Sequence, residues 1–88
     1  MPSLEDLYEN AYEKGIYVKE LPVDSGYIAF AGRYSKLIAA GYQNNAHLDK
    51  MDFIQASIHL VPGSSQESRV DAVENAIQNL EQAERMGR

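Results

Sequence analysis

Two periodicities meet within a few residues near the start of this chain, and together they commit it to mixing helix with sheet. Leu4, Leu7, Tyr8, Ala11 and Tyr12 recur at i, i+3, i+4, i+7 and i+8, which is one apolar stripe of a helix. Ser3 stands where it can cap that helix, and Glu5 and Asp6 fall in its positive first turn. Gly15 suits the left-handed residue that ends it. Directly afterwards, Ile16 to Leu21 is short, β-branched and aromatic, and Pro22 closes it as an edge-type strand. The pattern predicts a helix over 3–14 and a strand over 16–21.

Further along, Asp24-Ser25-Gly26 signals a turn. Two runs at 27–31 and 36–42, separated by Gly32-Arg33-Tyr34-Ser35, are predicted to pair as a hairpin. The continuous apolar stretch Leu37-Ile38-Ala39-Ala40 predicts that the second run is an interior strand covered on both faces. Asn45 can cap a helix over 46–61, with Leu48, Met51, Ile54 (or Gln55), Ile58 and Val61 as its stripe and Pro62-Gly63 as its stop. A last helix over 65–86 would use Val70, Val73, Ile77, Leu80 and Ala83. The expected fold is α+β in a single domain, 1–88. It has an N-terminal helix, a small three-stranded, mainly antiparallel sheet, and two C-terminal helices packed on one face. A sheet covered on one face leaves the other to be hidden, and a homodimer is the simplest way to do that.

With 88 residues and no cysteine, neither disulfides nor thiolate metal sites can brace the small core. No apolar run resembles a signal peptide or approaches the roughly 20 residues of a membrane span, so a cytoplasmic protein is expected. A net charge of −5, with eight scattered Lys and Arg, argues against direct nucleic-acid binding and favours a protein or small-ligand partner.

Catalytic chemistry is hard to assemble. There is no Cys nucleophile, no G-x-S-x-G and no glycine-rich phosphate loop, since Gly26, Gly32 and Gly41 read as turn or strand glycines. The two histidines, His47 and His59, lie twelve residues apart on one predicted helix. That spacing is about 120° around the axis, so they do not share a face. Most carboxylates fall on solvent faces. Tyr27, Tyr34 and Tyr42 read either as an aromatic ligand platform or as sheet packing with hydroxyls at the rim.

Several local phrases resemble the ImmA/IrrE family of zinc metallopeptidases. Gly15-Ile16-Tyr17-Val18-Lys19-Glu20-Leu21-Pro22 is similar to the family's G-I-x-V-x-x-L-P strand. Gly26-Tyr27-Ile28-Ala29 and Leu37-Ile38-Ala39-Ala40 resemble the strands that follow it, and Glu67-Ser68-Arg69-Val70-Asp71 resembles the phrase supplying a later glutamate ligand. The family's H-E-x-x-H aligns with Gln55-Ala56-Ser57-Ile58-His59. In that motif two imidazoles at i and i+4 meet one zinc, and the glutamate is the general base. Here the first ligand position is Gln55 and the base position is Ala56, leaving His59 and Glu67 as vestigial candidates. A neutral amide is a poor zinc ligand and alanine takes no proton, so neither metal nor cofactor is expected. His59 has a helix-end reading as well, and Glu67 a capping-box reading with Ser64.

The resemblance implies a non-catalytic, protein-binding relative belonging with phage or mobile-element regulators, whose partner would be a helix-turn-helix repressor. Two alternatives stay open. One is a hydrolase with an altered metal site built from His59, Glu67 and Asp71 or His47. The other is a structural homo-oligomeric domain.

Overall fold

The computed structural model describes residues 3–87. Its elements run α1 (Leu4–Glu13), β1 (Ile16–Val23), β2 (Gly26–Arg33), α2 (Tyr34–Ala39), α3 (Asn45–Asp49), α4 (Phe53–His59), β3 (Val61–Pro62) and α5 (Arg69–Arg85). The fold class is α+β, and the three strands form one antiparallel sheet in the order β1-β2-β3.

The N-terminal half follows its local signals. Ser3 accepts from the Asp6 amide and Asp6 returns the bond, a reciprocal cap that starts α1. Gly15, at φ +75°, lets the chain turn straight into β1. The hairpin closes over Asp24-Ser25, with Val23 opposite Gly26. It therefore joins β1 to β2, where a hairpin between 27–31 and 36–42 was expected.

The expected strand at 36–42 is a helix. Tyr34–Ala39 coils into α2, with Leu37 buried and Ile38 exposed. Gly41, at φ +106°, ends it: its amide bonds Ile38 O and the Tyr42 amide bonds Leu37 O, the paired closure of a helix on a left-handed residue. Ala39-Ala40-Gly41 is thus a helix end, and the apolar run is one turn of good helix formers.

The expected helix over 46–61 is broken in two. Asn44 rather than Asn45 caps α3, accepting from the His47 amide at 2.8 Å. Asp52 and Gln55 form a second reciprocal cap, Gln55 N to Asp52 Oδ1 at 2.8 Å and Asp52 N to Gln55 Oε1 at 3.2 Å, which starts α4 afresh. The break rotates the helical phase. Leu48 and Met51 are buried, but the buried position of α4 is Ala56, and Ile54 and Ile58 stand 71% and 70% exposed. Pro62-Gly63 stops no helix. Val61 and Pro62 pair with Ala31 and Phe30, and Gln66 exchanges two bonds with Tyr27 one register step out of phase, so one extra residue bulges from the third strand. α5 consequently starts at Arg69, not at 65.

Alternation along the central strand sorts the core into two layers. Ala29 and Ala31 face Ile16, Val18, Ala72, Val73, Ala76 and Leu80, beneath α1 and α5. Phe30 faces the other way, into Tyr17, Leu37, Leu48, Met51, Ala56 and Leu60, beneath α2, α3 and α4. The two helices expected together on one face are therefore split: α4 covers one side and α5 the other. Among the described residues both faces of the sheet are covered, which removes the open face that motivated the homodimer.

A tyrosine groove as candidate functional site

Five of the six tyrosines gather around one cleft. Tyr8 and Tyr12 come from consecutive turns of α1, Tyr17 from β1, Tyr34 from the start of α2, and Tyr42 from the loop after it. Tyr34 is the hub. Its ring meets Tyr12 edge to face at 5.8 Å and meets Tyr17 at 5.8 Å with 67° between planes, separations typical of favourable aromatic pairs. The cleft has two adjoining parts sharing Tyr12, Tyr34 and Asn45. The larger, about 730 Å³, is completed by Glu13, Ile38, Tyr42 and the Gln43-Asn44-Asn45 loop. The smaller, about 290 Å³, runs along Ile16, Tyr17 and Val18 to Asp49. The charged residues lining both parts are Glu13 and Asp49, both acidic.

The walls are tied down by hydrogen bonds. Tyr17 donates to Asp49 Oδ1 at 2.9 Å and Lys19 Nζ to the Asp49 carbonyl at 2.8 Å, joining β1 to α3. Tyr8 donates to the Glu20 carboxylate, which also accepts a fork from Arg69 of α5 at 2.7 and 3.0 Å. A second fork, Arg33 to Glu84 at 2.6 and 2.8 Å, fastens β2 to α5.

These ties set the ionisation of the groups in them. Burial pushes the Glu20 carboxyl up, but the Arg69 and Tyr8 hydrogen bonds outweigh it and hold it below the ordinary carboxylate range. The Arg33 hydrogen bond holds Glu84 down in the same way. Burial, then the bonds to Glu20 and to Asp49, drive the Tyr8 and Tyr17 phenols well above their usual range. Every one of these shifts leads away from neutral pH, the opposite of what an acid or base at work near pH 7 requires.

The sign for stability follows. A carboxyl with a lowered folded pKa contributes stability that is present above its unfolded value and lost as pH falls through the folded one. A phenol with a raised pKa contributes stability that is present below its unfolded value and lost as pH rises. Urea midpoints are therefore expected to hold level from about pH 5 to about pH 9 and to fall on both sides. Glu20→Gln should flatten part of the acid arm and Tyr8→Phe part of the alkaline arm; unchanged arms in both variants would show that these contacts do not form.

Of the residues singled out in the sequence, Tyr34 and Tyr42 line the groove, whereas Tyr27 packs on the opposite, α5 side of the sheet. Parity along β2 decides this, since Tyr27 shares the face of Ala29 and Ala31. Tyr8, Tyr12 and Tyr17 were read as stripe and strand residues. Only the packing of α1 and α3 on either side of β1 makes them a site.

The metal-site candidates are dispersed. His59 O lies beside Gly32 and Glu67 Cα beside Gly26, near opposite ends of β2. Six residues of strand put their backbones roughly 20 Å apart, too far for one ion. Gln55 spends its side chain on the α4 cap, and Ala56 is fully buried against the sheet. Asp71 is exposed in the first turn of α5. The Ser64 amide bonds Asn75, and α5 begins beyond Glu67, so no Ser64–Glu67 capping box forms. His47 and His59 do converge from two helices, but on a tyrosine ring: their imidazoles lie 4.8 and 5.2 Å from Tyr42. No group of three or more His, Cys, Asp or Glu among the described residues is placed to hold a metal ion. No helix among them is long and apolar enough to cross a membrane.

The chain matches no protein family, no curated protein and no solved structure. Its function is read from the groove itself.

Proposed function

We propose that this chain is a non-catalytic binding module of the cytoplasm that takes a basic segment of a partner protein into the tyrosine groove. The observation that carries this reading is the groove's lining: five tyrosines and three neighbouring amides, with Glu13 and Asp49 its charged members. Tyrosine faces attract ammonium and guanidinium groups, at about 0.5–2 kcal/mol each depending on desolvation. Tyrosine is also the residue that interfaces favour as a rigid, amphipathic anchor. The net charge of −5 adds a long-range field of the same sign. The ImmA/IrrE resemblance supports the same partner class, because a helix-turn-helix repressor of the kind met in phage or mobile-element regulation is a basic protein. The residues aligned with the zinc motif support the non-catalytic half of the reading: Gln55 caps a helix and Ala56 fills the core.

The test is selection of random heptapeptides displayed on phage against the immobilised full chain. Selected peptides are expected to be enriched in Lys and Arg and to lose affinity with rising salt. Tyr34→Ala should weaken them by about tenfold or more while Tyr34→Phe keeps most of the affinity. Peptides without a cationic bias, or peptides that bind Tyr34→Ala as well as the parent, would remove the proposal.

A further inference from the structure

Among the described residues the sheet has one long unpaired edge, and part of it borders the groove. The hydrogen-bond parity of β2 settles which way β1 points. Tyr27 bonds Gln66 through both N–H and C=O, and Ala29 O accepts from Gly63, so the odd residues of β2 turn toward the third strand. The even residues, Gly26 to Gly32, therefore serve β1 through their partners Val23, Leu21, Lys19 and Tyr17. The main-chain groups of Ile16, Val18, Glu20 and Pro22 consequently point outward. No hydrogen bond between backbone groups outside the strand ladder reaches Val18 or Glu20 among the described residues.

An unpaired edge of this kind is a template for another strand, and proteins usually blunt it. Here the far end is blunted by Pro22, which has no N–H to offer, and the near end is closed at Ile16, which is buried. The near end, Ile16 to Val18, lies in the smaller part of the groove, between Tyr8 and Tyr12 of α1 on one side and Asn45 and Asp49 of α3 on the other. The helices close over Ile16, 1% exposed, and leave Val18 7% exposed beside this space, so an added strand reaches the edge from Val18 onward.

We infer that the partner segment binds as an added β-strand, extended along the outer edge of β1. The inference rests on the protein-binding reading above and specifies its mode. Main-chain bonds to Val18 and Glu20 supply affinity without regard to sequence, and alternate side chains of the added strand supply selectivity. One set points to the α1 side, toward Tyr8 and Tyr12, and the other to the α3 side, toward Tyr17 and Asp49. Asp49 gives the α3 side its acid and Glu13 lines the adjoining larger part, so cationic side chains suit the α3-facing set and the end of the strand that runs on into that part. The same acids disfavour a second copy of this chain on the edge, because pairing β1 with β1 would bring Glu13 and Asp49 toward their own duplicates in a chain of net charge −5.

The peptides selected above supply the probe. Each is resynthesised with one backbone nitrogen methylated at a time and titrated against the full chain. A strand donates through every second amide to the neighbour it pairs with, so affinity should fall by about tenfold at alternate positions and little at those between. Amide exchange at Val18 and Glu20 should slow when peptide binds. A flat scan, or a loss confined to one position, together with unchanged exchange at Val18 and Glu20, would overturn strand addition and leave the protein-binding reading standing. Failure to select any peptide would instead remove that reading. A chain found dimeric, with these two amides already protected in the absence of peptide, would overturn the inference in favour of self-pairing.

Discussion

Replacing Gly26 with alanine is expected to lower stability by about 3 kcal/mol, one of the largest losses a single methyl group can cause in a chain of this size. Two causes act together. Gly26 sits at φ +143°, where an L side chain is strained whatever space surrounds it. A Cβ there would also lie 2.2 Å from Gln66 O, 3.0 Å from its carbonyl carbon and 3.1 Å from Glu67 Cα. All three are backbone atoms, so no flexible side chain can swing away. The segment that would have to move is the one whose Gln66 bonds Tyr27 at 2.7 and 2.8 Å and continues the third strand. A small domain holds only about 5–10 kcal/mol in total, so the variant should unfold at markedly lower urea. Gly41→Ala is the control. It shares a positive φ, +106°, but no atom beyond its chain neighbours lies within 4 Å of the added carbon, so it should show only the strain, about 1 kcal/mol. A Gly26→Ala midpoint no lower than that of Gly41→Ala would mean that residues 63–68 do not lie against β2.

The contrast between these glycines shows where the chain could be read locally and where it could not. Ser3, Gly15, the strand from Ile16 and the turn at Asp24-Ser25 carry their instructions within a few residues, and each element they announce is present. The third strand carries none. Val61-Pro62 is two residues long and includes a proline, and it is a strand only because Phe30 and Ala31 lie beside it. The Leu37-Ile38-Ala39-Ala40 run fits a buried strand and a helical turn equally by hydrophobicity, and helix propensity with the Gly41 closure decides it. Asp52-Phe53-Ile54-Gln55 was the missed signal: a capping-box spacing inside an apparently continuous stripe, sufficient to restart the helix and expose Ile54 and Ile58. The groove was half legible. Tyr34 and Tyr42 could be named from their polarity and position. Tyr8, Tyr12 and Tyr17 belong to two different elements, and their convergence depends on tertiary packing that no local spacing encodes.

Phe30→Ala is expected to cost about 4 kcal/mol, and to do so unevenly across the molecule. Phe30 is 1% exposed and is the side chain of β2 that gathers Tyr17, Leu37, Leu48, Met51, Ala56 and Leu60 beneath three short helices, with the Phe53 ring edge-on at 5.5 Å. Those helices have six, five and seven residues, well below the roughly 12–15 at which an isolated helix becomes even marginal in water. They are held by what they pack on. The opposite layer keeps its own core of Ala29, Ala31, Val73, Ala76 and Leu80, under a 17-residue helix fastened by the Arg33–Glu84 and Arg69–Glu20 forks. Truncating Phe30 should therefore loosen α2, α3 and α4 first. Amide exchange across 34–59 should accelerate far more than exchange at Val73 and Ala76, and helical circular dichroism should fall only in part. Tyr34, Asn45 and Asp49 stand on the loosened layer, so peptide binding should vanish while α5 still protects its amides. Uniform acceleration of exchange would show instead that the two layers unfold as one cooperative unit. In that case the groove would be as rigid as the core beneath α5, and its occupant would meet a preformed site rather than one that closes around it.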